Sequence, residues 1–409
     1  MDDILFLAHR IPYPPDRGDK IRSWNILKHL AGLARVHLAC FADDAGDAAY
    51  LGALRDALGG RLGEAHVDIR SKSRIAAGAQ ALATGSPILL SLFDSAAMRG
   101  FVARQLGRPE IGAVFAFSGQ MAQFVPQQLR QRFVMDFVDL DSAKFGQYAE
   151  GGAGPMAWVH RREDRRLFAF EQATAARADV SLFVSDAEAA LFRRKAGASA
   201  AAVRVVQNGI DLDHYDPASD FARLDRAGEG PLIVFTGQMD YRPNIDAVTA
   251  FADDVMPLIR REIPSATFAI VGRKPSDSVR RLGARDGILV TGAVDDVRTW
   301  LAAAAVVVAP LRIARGIQNK LLEAMAMACP AVASPAAFEG IDAVPGRDLL
   351  VADGAGEQAR AVLDLLADTG KADAIGAAAR LRMAQRYRWD ATLAPLAEMI
   401  AGPARRAAA

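Results

Sequence analysis

The chain has 409 residues, more than one ordinary core accommodates, and a formal net charge of +1, which leaves no global field for nucleic acid or a strongly acidic partner. With 51% hydrophobic and 24% charged residues it is globular and not disordered. Cys40 and Cys329 are its only cysteines, both in apolar surroundings, so they offer neither a disulfide scaffold nor a metal quartet.

The first apolar run, Ile4 to Ala8, is too short for a signal peptide and is followed at once by His9, Arg10 and Pro12. The longest, near Leu301 to Leu311, is too short to span a bilayer. A cytoplasmic location is the expectation, with peripheral contact at the inner face of a membrane left open.

In chain order, ILFLA (4–8) reads as a strand and about Asp19 to Ala31 as a helix. The strands VHLACFA (36–42), AVFAF (113–117) and RFVMDF (132–137) follow. A charged helical stretch at 156–177 precedes two more strands, VSLFVS (180–185) and AVRVVQ (202–207). Residues 214–230 lose the apolar runs and gather Pro, Gly and charge, as an interdomain linker does. A second strand series begins at PLIVFTG (231–237) and continues through TFAIVG (267–272) and GILVTG (287–292). It ends with AAVVVAP (304–310), PAVAS (330–334) and DLLVA (348–352). One last helical segment, about 372–400, is able to cap either domain.

Short apolar strands alternating with helices predict an α/β protein of two doubly wound domains, 1–213 and 231–385, with 386–409 free to pack back on the first. Ligands are then expected in a cleft, at loops beyond the carboxyl ends of the strands.

Several of those loops carry chemistry. HRIPYPPDRGDKIRS (9–23) is stiffened by prolines and places Gly18 at a helix start, where a backbone can approach a phosphate; Arg17, Lys20 and Arg22 add charge. Asp136, Asp139 and Asp141 end a strand beside Lys144, and read equally as hydroxyl ligands or a base and as a cap with solvated or paired acids. HRREDRRLFAFE (160–171) reads mainly as a solvated helix with i,i+4 pairs, and secondarily as a basic face for a membrane or an anionic acceptor. Asn208-Gly209 marks a turn. Gly237 closes the first strand of the second series, and Arg242, just before a helix expected near Asn244, is within reach of a diphosphate.

The segment VVVAPLRIARGIQNKLLEAMAMACPAVAS (306–334) says most. Its helix sets Lys320 and Glu323 three residues apart among apolar neighbours, just after a glycine loop. A simple surface ion pair is the alternative reading, and the apolar neighbours favour a cleft over it. A cation and a carboxylate beside free backbone N–H groups suit phosphates at one end and sugar hydroxyls at the other. Neither a G-x-G-x-x-G fingerprint, paired histidine spacing nor a nucleophile elbow is present.

The Gly18 loop, the NGID turn (208–211), the strand–Gly opening at 235–237, TGAVDDV (291–297), KLLEAMAMACPAVAS and PGRDLLV (345–351) together resemble the retaining glycosyltransferases of family 4, which have the GT-B fold. The wording of HRIPYPPDRGDKIRS and PLRIARGIQNKLLEAMAMA is most similar to a bacterial subgroup tied to exopolysaccharide production and PEP-CTERM sorting. The resemblance implies donor contacts at Gly18, Gly237, Val294, Arg315, Gly316, Ile317 and Glu323, with Arg242, Lys320 and Asp139 as catalytic groups. Glu323 matches the second of the family's two glutamates, the one that holds the ribose; the first falls on Arg315. Gln238 replaces the usual diphosphate arginine, and the histidine that many members carry falls nearest Asp136 or Asp139. Also implied are a nucleotide-diphosphate sugar as substrate, a glycan or lipid-linked acceptor, and no metal, other cofactor or nucleic acid. A nucleotide-sugar epimerase and a catalytically degenerate binding subunit stay open as alternatives.

Overall fold

The computed structural model describes residues 2–150, 154–197, 202–226, 228–314 and 317–402. The chain divides into two compact units: Met1–Gln207 with Leu393–Ala409, and Asn208–Thr392.

The first unit holds seven parallel strands, β1 (Asp3–Ala8), β2 (Val36–Ala42), β3 (Leu62–Ile69), β4 (Ile111–Phe117), β5 (Arg132–Val138), β6 (Val180–Phe183) and β7 (Val203–Val205), in the order β3-β2-β1-β4-β5-β6-β7. Leu5 of β1 is in register with His37 of β2 on one side and Val114 of β4 on the other, so the winding reverses at β1 and β4. Such a reversal opens a crevice at the carboxyl ends. The central strands are mainly apolar, as strands covered on both faces are, with Asp136 of β5 the buried charge among them. Phe137 and Phe183 stack at 5.4 Å, and Phe192 closes on Phe183 at 5.1 Å. β3 is absent from the sequence-based strand set. It lies at the sheet edge, half exposed, and its Glu64 and Asp68 interrupt the apolar run.

Helix α1 (Gly18–Leu33) follows β1, beginning at Gly18 with Arg17 as an extended N-cap. Helix α2 (Arg74–Thr84) follows β3, α3 (Asp141–Glu150) follows β5, and α4 (Pro155–Arg177) leads into β6. The charges of α4 make no i,i+4 ion pair among the described residues. Instead Glu163 and Glu171 turn inward and accept from the backbone N–H of Ile88 (2.8 Å) and Ser142 (3.1 Å), at the starts of neighbouring helices. Burial pushes the Glu171 carboxyl up to about 8.

The second unit holds six parallel strands, β8 (Leu232–Thr236), β9 (Thr267–Val271), β10 (Ile288–Gly292), β11 (Val306–Ala309), β12 (Ala331–Ala333) and β13 (Leu350–Val351), in the order β10-β9-β8-β11-β12-β13. Helix α5 (Arg242–Ala250) follows β8, starting two residues before the expected Asn244, and α6 (Asn319–Ala326) joins β11 to β12. Leu232, Val234, Val271, Leu301, Val307 and Ala324 form one core layer. Tyr215 and Phe221, within the stretch read as a linker, pack against it.

The last helical segment is not continuous. Helix α7 (Thr369–Arg386) stops before the buried Tyr387, whose carbonyl accepts from Ile210 N–H at 2.6 Å. Arg388 then bridges to Ile210, and a short helical turn, Trp389–Leu393, starts at the next residue, with Thr392 N–H donating to Arg388 O at 3.0 Å. The chain resumes as α8 (Leu396–Ala401) from Pro395, packed on β5 of the first unit through Arg132 Nε to Met399 O at 2.8 Å.

Candidate donor-binding site

The site grows from the carboxyl end of β8. Gly237 N–H donates to Val271 O at 3.0 Å, and the next residue, Gln238, turns its carbonyl toward α5. Asn244, buried in the first turn of α5, donates from Nδ2 to that carbonyl at 2.9 Å. Its Oδ1 accepts from Lys320 Nζ at 2.7 Å. The ammonium also lies 4.2 Å from the centroid of the Phe235 ring. A Cβ on Gly237 would fall 2.8 Å from Asn244 Nδ2 and 3.4 Å from Lys320 Nζ, so glycine is what lets both side chains close over the strand end. One on Gly272 would fall 1.6 Å from Gly237 O.

Lys320 and Glu323 share one turn of α6. Desolvation brings the Lys320 ammonium down to about 7, against a smaller opposing pull from Glu323. Burial likewise raises Glu323, although the Tyr215 hydroxyl and Lys320 both favour its charged form. Tyr215 is in turn pushed well above its ordinary value, by burial first and by Glu323 second. At the start of α6, Asn319 Oδ1 accepts from Asn208 Nδ2 at 3.0 Å, which ties the NGID turn to the same helix.

Gly237, Lys320 and Glu323 thus converge. Ile317 is buried just ahead of α6, and Val294 is half-buried against the second core. Arg315 and Gly316 lie outside the described residues. Arg242 does not join the cluster: its side chain is 81% exposed and 3.6 Å from Asp246, one turn on. Sequence reasoning missed Asn244 and Tyr215 as site residues. A buried Asn beside Pro in a first helical turn is a usable signal for Asn244; Tyr215 gives none, because it stands in a polar stretch.

In the first unit, Gly18 is the exposed first residue of α1. Of the three acids after β5, Asp136 is wholly buried against Arg22 at 3.0 Å, which removes it from any ligand-facing role. Asp139 and Asp141 share Lys144, at 3.1 and 2.9 Å. Those two carboxylates hold the Lys144 ammonium well above its usual range despite burial. His9 donates or accepts at 3.2 Å with Asp19 and stacks on Phe117; burial lowers its pKa.

Solved structures share this architecture across nearly the whole chain. The Anabaena protein HepE in complex with UDP and glucose superposes with a TM-score of 0.68 at 17% identity, covering 98% of this chain and 100% of that one. Sucrose-phosphate synthase from Thermosynechococcus elongatus gives 0.69 at 17% identity, covering 98% of each. The fold is GT-B. Within it, residues 230–368, which contain all six strands of the second sheet, match the family described as Glycosyl transferases group 1.

By sequence the GT-B chain is 30% identical over 243 residues to the GDP-mannose-dependent alpha-(1-6)-phosphatidylinositol monomannoside mannosyltransferase of Mycobacterium tuberculosis (strain ATCC 25618 / H37Rv). That match covers 55% of this chain and 62% of the relative, so it spans less than two thirds of the relative's length.

Proposed function

We propose that the protein is a glycosyltransferase that moves a sugar, with retention at the anomeric carbon, from a nucleotide-diphosphate donor to a hydroxyl acceptor. The observation that carries this reading is the placement of Lys320 and Glu323 on one turn of α6, against Gly237 and Asn244 at the end of β8. The match of 230–368 to group 1 glycosyl transferases covers this cluster.

Departure of the nucleotide diphosphate builds negative charge on phosphate oxygens. Lys320, held by Asn244 in a half-buried setting, supplies a cation there, and the start of α6 supplies N–H groups. In this reading Gly18, at the start of α1, brings backbone N–H to the diphosphate, and Arg242 leaves Asp246 to join it. Glu323 accepts from two ribose hydroxyls, exchanging its Tyr215 bond for theirs. Asp139 is assigned to the acceptor side. No metal is required, since Lys320 and backbone dipoles carry the leaving-group charge.

The acceptor is proposed to be a glycan or a lipid-linked glycan of exopolysaccharide assembly, on the wording of the Gly18 loop and the α6 segment. No helix among the described residues is long and apolar enough to cross a membrane. A lipid-linked acceptor is proposed to be met from a peripheral position at the inner membrane face. Arg315, standing where the resemblance places an acid, supports a second reading: a chain that binds a nucleotide sugar without transferring it.

Thermal stabilisation by UDP, GDP and their common sugars tests the site. A ligand at one hundred times its Kd stabilises by about 2.7 kcal/mol. Stabilisation by one nucleotide series, lost in Glu323→Ala, is expected, and no response to any nucleotide overturns the assignment. Transfer to an acceptor by the purified protein separates the enzyme from the binding subunit.

A further inference from the structure

The charged run of α4 has work beyond the site above. Its first turns expose Met156 (62%) and Trp158 (52%), and Arg161, Arg165 and Arg166 are exposed behind them. Trp158, Arg162, Arg165, Arg166 and Ala169 line one shallow depression of about 460 Å³, at the i, i+4, i+7, i+8, i+11 spacing of a single helical face. The acids of this stretch are turned away from that face: Glu163 is buried against Arg162, and Asp164 is 3.3 Å from Lys195.

Helix α2 presents a matching feature. Ala77 and Ala81 are buried, while Ile75 (86%) and Leu82 (63%) stand in solvent, seven residues apart with the exposed Ala79 between them. The two stripes are joined. Arg162 Nη2 donates to Ala81 O (2.7 Å) and Ser86 O (3.1 Å) at the end of α2, and Arg162 also lines the α4 depression. Of the large hydrophobics that the described residues expose, four therefore belong to this one pair of helices.

Isolated exposed apolar side chains are ordinary, but four on adjoining helices beside an arginine stripe are not. Apolar tips that enter a headgroup layer, a tryptophan at its level and cations at its phosphates are the pattern of an interfacial surface. A protein partner would have to match the three exposed guanidinium groups of Arg161, Arg165 and Arg166 with acids; an anionic bilayer supplies that charge anywhere on its plane.

We propose that α2 and the start of α4 form a docking surface for an anionic lipid bilayer. Ile75, Leu82, Met156 and Trp158 enter the headgroup region, and Arg161, Arg165 and Arg166 pair with lipid phosphates. The surface is made wholly by the first unit and stands independently of the donor-site reading.

The test is co-sedimentation of the full-length protein with vesicles of phosphatidylcholine alone and of phosphatidylcholine with 30% phosphatidylglycerol, about that fraction being enough for a negative surface potential. Binding to the anionic vesicles only, weakening with salt, is the expected result. The triple variant Arg161→Glu, Arg165→Glu, Arg166→Glu should lose at least about tenfold in partitioning. The double variant Ile75→Ser, Leu82→Ser should also lose binding, including at high salt. Nucleotide-induced thermal stabilisation should be unchanged in both variants, showing that they are folded. Equal partitioning of wild type and variants, or no binding to anionic vesicles, overturns the proposal. So does concentration-dependent self-association abolished by Trp158→Ala in a protein that ignores vesicles. Nucleotide binding without vesicle binding would sink only this surface; vesicle binding without nucleotide binding would sink only the donor site.

Discussion

Lys320 Nζ lies 2.7 Å from Asn244 Oδ1, with the face of Phe235 on another side, and this contact fixes a cation whose proton is loosely held. The neutral amide satisfies the ammonium without neutralising it, as an aspartate there would. A weakly held proton on a positioned amine takes up charge when a phosphate arrives.

That arrangement makes nucleotide affinity depend on pH. Lys320 titrates near 7 in the free protein, and a bound diphosphate favours its charged form. Binding above that pH must take up a proton, so affinity should fall as pH rises from about 7, by up to about tenfold per unit. Isothermal titration across roughly pH 6 to 9, which brackets the lowered Lys320 value of about 7, reads it directly. A flat profile would show that Lys320 does not meet the phosphates. Asn244→Asp should move the fall to higher pH.

The same group leaves a trace in stability. Between about pH 7 and the ordinary lysine range, the unfolded chain binds the proton and the folded chain does not, so this residue makes stability rise with pH there. Urea unfolding of Lys320→Met should lack that rise. Glu171 acts in the opposite sense. Its folded pKa of about 8 lies above the ordinary carboxylate range, so its contribution falls as pH rises through that interval. Glu171→Gln should remove that fall.

Glu323→Gln keeps the shape of the side chain and removes its charge. The nucleoside should lose hydrogen bonds to a charged acceptor, about 1.5–3 kcal/mol, or roughly one to two decades in Kd. Unchanged affinity by titration would place the ribose elsewhere.

Gly237→Ala tests the close approach at the end of β8. The added methyl would stand 2.8 Å from Asn244 Nδ2, and displacing that side chain releases Lys320. Overpacking of this kind costs about 1–3 kcal/mol, measured by denaturant midpoint, and nucleotide stabilisation should vanish with it. An alanine variant with both properties intact would mean that the clamp is not needed.

Arg22 and Asp136 are paired in full burial, so removing one leaves the other charge stranded. Arg22→Met should cost about 3–5 kcal/mol of unfolding free energy. Donor affinity at temperatures where the variant is folded should be unchanged, because the pair is structural.

Twelve of the thirteen strands among the described residues could be read from the chain, most of them as continuous apolar runs of the kind that strands buried on both faces show. β3 could not, because Glu64, His66 and Asp68 interrupt its apolar run. Lys320 and Glu323 were legible because charge in an apolar helix is conspicuous. Asn244 and Tyr215 were not, because they reach Lys320 and Glu323 from 76 and 108 residues earlier in the chain, and only folding makes them neighbours. Asp136 illustrates the reverse: its partner Arg22 lies 114 residues away, so the sequence left a ligand-facing acid and a solvated or paired one as equal readings.

The seating of α8 on β5 also governs the order in which the molecule is completed. Residues 1–207 are made before the second unit, yet the helix that meets Arg132 is encoded after everything in that unit. The second unit is therefore an insert within the first. Of the two units, the one begun earlier is completed later, and a chain cut just before Leu396 would lose part of the first unit and none of the six strands of the second sheet.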